Sequence, residues 1–313
     1  VGKIGFFYGD AVHMAWNSSY WRCQLPAKAL TGHEVVLAHV NTLPSHADCD
    51  VFFVERCLFE PYLSFLKTQK AKGSRVYCTF DDNFALFPKF LPGYPLWKAK
   101  HTEFIQGLGE IDGGLCPSQL LVDYYSRYGN IKLVENYYPD SWYDEPVNPT
   151  PEFELGISCS ISHMESIKHS KILEALKQSD YSLLFNAGQA HQLMDMMQGL
   201  YSEYSHWTRQ QDYTKIVDRF AVGLAPLAGE YDRYRSNIKC LLYNVRGRPF
   251  VASRLDPYFK MFGGVLVDNT VKGWLEGIEK VLKDYKLYAD LGREQALNYK
   301  LSENIYRYQE LIG

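Results

Sequence analysis

Phe220–Asn269 reads FAVGLAPLAGEYDRYRSNIKCLLYNVRGRPFVASRLDPYFKMFGGVLVDN, and its reading decides the fold. An apolar run, a loop dense in small and charged residues, an amphipathic segment carrying Lys239 and a second apolar run at Pro249–Ser253 make a strand–loop–helix–strand unit. Ser236 and Asn237 are both good N-cap residues for that helix, so Arg233, Arg235 and Lys239 fall around its first turns. Unpaired N–H groups and the positive end of the helix dipole favour an anion there, and guanidinium forks suit phosphate oxygens. The ligand class this implies is a diphosphate. The plainer alternative is a solvated loop with surface salt bridges.

Upstream, the same alternation of short apolar runs and amphipathic segments recurs. Strands are expected at Phe153–Ser158 and Tyr181–Asn186, helices at Gln192–Tyr201 and Asp212–Asp218, and the helices Gly273–Leu282, Tyr285–Tyr299 and Ser302–Leu311 follow the central unit. Asp144–Glu152, DEPVNPTPE, is polar, holds three prolines and is the best linker in the chain. Before it, strands are expected at Lys3–Tyr8, within TGHEVVLAHV, and at Asp50–Glu55, Arg75–Phe80, Gly113–Pro117 and Ile131–Glu135. Helices are expected at Gln24–Leu30, Glu60–Ala71, Thr102–Leu108 and Gln119–Tyr128, with FPKFLPGYP at Phe87–Pro95 as an aromatic loop. The consequence is an α/β chain of two Rossmann-like βαβ domains in tandem, a comfortable division of 313 residues.

Composition bounds the partners. A net charge of −3, with 13 Lys and Arg against 16 Asp and Glu in residues 1–150 and 20 against 20 after them, gives no global attraction to nucleic acid or anionic membrane. A local patch at Lys67, Lys70, Lys72 and Arg75 reads equally as a solvated helix end. The 24 tyrosines suit a groove for sugars or bases, though packing can absorb them. The seven cysteines are odd in number and scattered without a CxxC pair, the usage of reduced, buried thiols in a cytoplasmic protein. No signal-peptide pattern is visible, and no apolar run approaches the roughly 18 residues of a membrane span.

Ligands of open parallel sheets bind beyond the carboxyl ends of strands. That rule picks out Asp10, His13 and Trp16 after the first strand, the adjacent carboxylates Asp81 and Asp82 after the fourth, and Ser162-His163 after Phe153–Ser158. Paired carboxylates there can hold sugar hydroxyls or act in acid/base work; the alternative is a helix N-cap and turn. His13 is a catalytic or acceptor-binding group or a plain loop residue. Gly107-x-Gly109 follows no strand and lacks a third glycine in register, so it is no dinucleotide fingerprint. Asp48-Cys49-Asp50 leads into a strand instead of ending one, and no His/Cys ligand set appears, so no metal is expected.

Several strings carry a resemblance. YWRCQLPAKALTGHEVV, DVFFVERC with RVYCTFDDNFALFP, CPSQLLVDYYSRYGNIKLVENYYP, and VGLAPLAGEYDRYRSNIKCLLYNVRGRPFVAS followed by GGVLVDN together resemble the retaining glycosyltransferases of the GT-B architecture, in particular the large family 4-like group. The resemblance touches both halves and covers most of the chain. It implies an acceptor-binding domain at 1–148, a nucleotide-sugar-binding domain at 149–300, a cleft between them, and a final helix at 301–313 that returns to the first domain. By position, Arg233, Arg235, Ser236 and Lys239 match residues around the donor phosphates. Tyr243 matches the tyrosine of the family's Lys-x-Leu-Glu-Tyr string, and Ser162 and His163 match the opening of the donor domain's first helix.

One departure stands out: the glutamate of that string, which in the family holds the donor ribose, is Leu242 here, and the paired acidic position is Tyr234. Glu230 or Asp232 can substitute from the loop, or the donor differs, or activity has been lost. The resemblance therefore implies hexosyl transfer with retention from a nucleoside-diphosphate sugar, UDP- or GDP-linked, without metal or prosthetic group. Asp81 and Asp82 are the candidates for orienting or deprotonating the acceptor, and Asp10 and His13 stand behind them. The acceptor expected is a saccharide, lipid-linked or other hydroxyl. The rivals are a degenerate nucleotide-sugar or glycan binding protein, a phage-type transferase acting on a modified DNA base, and a nucleotide-sugar epimerase of the same architecture.

Overall fold

Apolar runs of four to seven residues cannot bury both faces alone; joined by helical crossovers they must lie parallel. The computed structural model describes residues 2–9, 18–188, 191–206, 209 and 212–313. Among these, two six-stranded sheets form, parallel at every pairing. The first holds β1 (Lys3–Tyr8), β2 (Glu34–His39), β3 (Val51–Glu55), β4 (Arg75–Thr79), β5 (Gly113–Cys116) and β6 (Ile131–Leu133) in the order β2-β1-β3-β4-β5-β6. The second holds β7 (Phe153–Cys159), β8 (Leu183–Ala187), β9 (Glu203–His206), β10 (Phe220–Ala225), β11 (Phe250–Ser253) and β12 (Gly264–Val267) in the order β12-β11-β10-β7-β8-β9. Strand order reverses between β1 and β3 in one sheet and between β7 and β10 in the other, and those are the switch points where doubly wound sheets bind ligands.

Contacts cluster into two units. One comprises Val1–Pro139, Tyr234–Ser236 and Lys300–Gly313; the other comprises Asp140–Arg233 and Asn237–Tyr299. The first is filled by a core around Phe52, Val76, Phe80, Phe104 and Tyr125. Its chain-terminal piece is held by Tyr308, whose ring lies 5.6 Å from that of Phe53, and by Arg75 and Tyr77, which donate to the Leu311 carbonyl at 3.1 and 3.2 Å. The second is filled around Ile157, Phe185, Leu224, Val251 and Trp274.

The structure departs from the expectations in several places, beginning with β12, a strand at Gly264–Val267 that was not expected. The polar stretch Asp144–Glu152 is no free linker, because buried Arg246 donates to the carbonyls of Trp142, Glu145 and Pro146 and pairs with Asp218, while Arg248 donates to the Asn148 carbonyl. β9 was not expected; EYSH has no apolar run because it is an edge strand. The helix expected at Thr102–Leu108 spans Tyr94–Glu110, opening on Gly93 with Pro95 in its first turn, inside the stretch read as loop. The final helix is broken into Leu301–Asn304 and Tyr306–Ile312.

Two lysines of the basic patch are paired within their own unit. Lys67 pairs with Glu110 and Lys70 with Asp112, each at 3.3 Å. Asp48 and Asp50 are taken by Lys3, through its ammonium and its main-chain N–H respectively, each at 2.7 Å, at the amino end of β1. All seven cysteines are buried thiols. No described helix is long and apolar enough to cross a membrane.

Candidate functional site

In the second unit, the β7/β10 switch point gathers Ser162, His163 and Lys239. β7 ends at Cys159, and Ser160 Oγ lies 2.7 Å from Ser162 Oγ; both hydroxyls approach His163 Nδ1, at 3.4 and 3.3 Å. Lys239 stands in the first turn of the helix Ile238–Val245, and its ammonium donates to the Ser158 carbonyl at the end of β7. The helix N-cap is Asn237, whose amide turns instead toward Met261 and Tyr299.

The loops after β7 and β10 are tied to each other. Asp232, buried, accepts from Ser166 Oγ and from the Ala228 N–H at 2.9 Å, closing a loop whose Gly229 has φ +102°. Behind it Ser253 Oγ receives the Leu227 N–H at 2.9 Å and donates to Asn269, whose amide returns to the Leu227 carbonyl. Such a loop needs little ordering on binding, which favours affinity.

Four expected donor contacts fare differently. Arg233 is forked onto Asp256, Nε to Oδ2 at 2.8 Å, with Glu230 at 3.4 Å, and these carboxylates raise its pKa further. Arg235 and Ser236 belong to the first unit, where Ser236 Oγ accepts from Asn136 at 3.1 Å. Tyr243 is corrected: it is wholly buried, its hydroxyl donates to the Leu224 carbonyl at 3.2 Å, and burial raises its pKa well above the ordinary value. Lys239 and Tyr243 share a helix face, but one turn further in that face meets β10, where Gly223 leaves a slot for the ring. Leu242 is buried too. Of the two loop carboxylates offered in place of that glutamate, Asp232 is committed inside its loop and Glu230 is exposed beside Arg233.

In the first unit, the β1/β3 switch point carries a residue the sequence reading passed over. Arg56 directly follows β3 with φ +61°, a conformation rare for a side chain with a Cβ and concentrated at functional sites. Its Nη2 donates to Asp81 Oδ1 and Ser18 Oγ, and Asp82 Oδ2 lies at 3.4 Å. Burial works to raise the Asp81 carboxyl, but the Arg56 guanidinium, with help from Ser18 and Arg22, outweighs it and holds the group below the usual carboxylate range. A carboxylate so held is a weak base; it is suited to accept hydrogen bonds. The turn alternative goes to Asn83, whose Oδ1 caps the short helix Phe84–Leu86 by accepting from Ala85 N at 3.1 Å.

Beneath this cluster Glu55 accepts from Ser19 Oγ and from Gly9 N, the latter at 3.2 Å. Buried Arg22 joins Thr79 Oγ1 at 2.7 Å to the Val134 carbonyl at 2.6 Å, linking the ends of β4 and β6. The only signals for Arg22 and Arg56 were single basic residues in YWRCQ and DVFFVER. Asp10, His13 and Trp16 lie outside the described residues.

No family model matches the sequence, and no curated protein matches it. Solved structures do. A sucrose-phosphate synthase from Thermosynechococcus elongatus superposes with a TM-score of 0.73 at 11% identity, covering 100% of this chain and 98% of that one. Anabaena Alr3699/HepE, solved in complex with UDP and glucose, gives 0.73 at 12% identity and covers 100% of both chains. The fold is that of the GT-B glycosyltransferases. The N-terminal domain of a Candida albicans trehalose-6-phosphate phosphatase also superposes, at 0.69 and 8% identity over 100% of this chain and 97% of that one. The GT-B fold therefore leaves the chemistry to be argued from the side chains.

Proposed function

We propose that this chain transfers a glycosyl group from a nucleoside-diphosphate sugar to an acceptor hydroxyl. The observation that carries the reading is Lys239, set in a helix's first turn and aimed at the end of β7, at the point where the strand order of the second sheet reverses. A cation and helix N–H groups at that point suit a diphosphate, and they stabilise it most as it departs with the bonding electrons of the anomeric carbon. Ser160, Ser162 and His163 add hydroxyl and imidazole groups to the same edge. The donor to test first is UDP-linked, since HepE was solved with UDP and glucose.

The acceptor hydroxyl is assigned to Asp81 and Asp82, with Asp81 orienting and not deprotonating it, because its pKa is held down; the hydroxyl proton leaves on the departing diphosphate oxygen as the new C–O bond forms and the bond from the anomeric carbon to that oxygen breaks. Retention at the anomeric carbon and transfer without a metal complete the proposal, the cationic work falling to Lys239. A DNA acceptor has little support in a first half with 13 basic and 16 acidic residues. A second reading, binding without turnover, draws on Leu242, a buried leucine where the family carries its ribose-holding glutamate.

The test is release of nucleoside diphosphate from a panel of UDP-, GDP-, ADP- and dTDP-sugars, followed with and without saccharide acceptors. One donor should turn over, and Lys239→Ala should slow it by about a hundredfold or more while leaving the melting temperature of the free protein near that of the parent. Binding without release would favour the second reading; unaltered turnover in the variant would remove Lys239 from the diphosphate site.

A further inference from the structure

Arg22 in the first unit is enclosed, 1% exposed, and its nitrogens are unequally served. Nε donates to Thr79 Oγ1 at 2.7 Å and Nη1 to the Val134 carbonyl at 2.6 Å, with Asn136 Oδ1 at 3.4 Å. Nη2 is buried and finds no acceptor among the described residues. Asp81 feels this charge, but behind Arg56 and Ser18, which hold its carboxylate themselves. A whole positive charge is thus kept out of water by neutral partners alone, an arrangement that is costly unless an anion completes it.

Two more unserved donors share its surroundings. Tyr137, the residue after Asn136, is 4% exposed, and its hydroxyl is buried without a partner among the described residues. Burial raises that hydroxyl's pKa and keeps it protonated; the charges of Arg307 and Arg22 both reach it and work the other way, against Glu135 and Tyr308. Arg307 comes from the chain-terminal helix Tyr306–Ile312. That piece is brought alongside by the bridge between Tyr138 and Lys300, by the Leu301 N–H on the Tyr138 carbonyl at 3.0 Å, and by the Tyr308 ring, 6.1 Å from that of Phe6 on β1. Arg307 is half buried, and its Nε is enclosed without an acceptor among the described residues. Glu303 and Glu310, about a turn to either side, are exposed and make no ion pair with it there.

These groups call for a ligand that accepts hydrogen bonds from three sides and carries negative charge. A water molecule has two lone pairs and leaves both guanidinium charges uncompensated. A tetrahedral oxyanion meets all three donors, and its oxygens suit guanidinium groups. We infer that Arg22, Tyr137 and Arg307 form an oxyanion site in the first unit, which takes a phosphate group and fastens the chain-terminal piece to the sheet. The half-buried Arg307 is its way in. Lys239 belongs to the other unit, so the inference stands apart from the glycosyl-transfer reading.

The experiment is equilibrium dialysis of the full chain against radiolabelled inorganic phosphate at constant ionic strength, in a Lys239→Ala background so that the proposed diphosphate site contributes nothing. That chain should bind a single phosphate, which sulfate displaces and chloride at the same ionic strength does not. Adding Arg307→Gln or Tyr137→Phe should weaken binding about tenfold or more in each case, the usual loss for a hydrogen bond to a charged group. Arg22 is left in place because its bonds to Thr79 and Val134 hold the strand ends. Arg307 is half exposed and Tyr137→Phe keeps the ring, so both variants should keep the parent's circular dichroism. Phosphate should also slow hydrogen exchange in residues 301–312. No bound phosphate in the Lys239→Ala chain, binding that leaves that exchange unchanged, or equal binding by the further variants would overturn the inference. None of these results touches the donor reading, whose test is release of nucleoside diphosphate.

Discussion

Arg56 and Asp81 form the pair on which the proposed acceptor site rests, and their electrostatics give a pH signature. The carboxyl is held below its ordinary value in the folded protein, chiefly by Arg56 against the opposing effect of burial. The folded state therefore binds fewer protons than the unfolded one as pH drops below about 4. The pair's contribution to stability is complete above the unfolded carboxyl's pKa and is lost as pH falls through the lower, folded one. Asp81→Asn should accordingly melt below the parent at neutral pH, and the gap should narrow on acidification below about pH 4. A gap that widens on acidification would mean Asp81 is not held ionised. At this scale the sequence was only partly legible. Asp81 and Asp82 stand out because two carboxylates end an apolar run, whereas Arg56 is marked by a backbone angle, which no residue pattern reports. Tyr243 misled for a related reason: its place in a string suggested a ligand contact, but the face it occupies is fixed by Gly223 across the interface with β10.

The elements of the second unit depend on that close approach. A Cβ at position 223 would fall 2.4 Å from the Tyr243 ring, and β10 is a central strand paired on both sides, so neither partner can yield cheaply. Gly223→Ala should destabilise the protein by about 1–3 kcal/mol, read as a lower denaturant midpoint with an unchanged slope; a neutral result would mean that the helix Ile238–Val245 is not seated on β10 as described. Most strands were legible because a parallel strand buried on both faces is a short apolar run, as VFFVE and LLFNA are. β9 was not, since an edge strand of mixed polarity has no such signal. The start of the helix at Tyr94 was hidden by Pro92, Gly93 and Pro95, which read as loop until the Phe84–Trp97 stack shows what holds them.

Across the whole molecule, alternating apolar runs and amphipathic segments sufficed to place the chain among two-sheet α/β proteins, because burial leaves few other ways to satisfy so many short strands. They did not show that Tyr234–Ser236 and Lys300–Gly313 pack with the first unit, or that Arg246 and Arg248 bind the Pro-rich stretch to the second, since both depend on contacts between residues far apart in the chain. The central claim is that a nucleoside diphosphate binds at the β7/β10 switch point. Hydrogen exchange of the full chain with and without UDP tests it most directly, because binding slows exchange where the ligand orders the backbone. The account predicts protection concentrated in residues 158–164, 226–232 and 237–241; protection confined to other segments, with these unchanged, would contradict it.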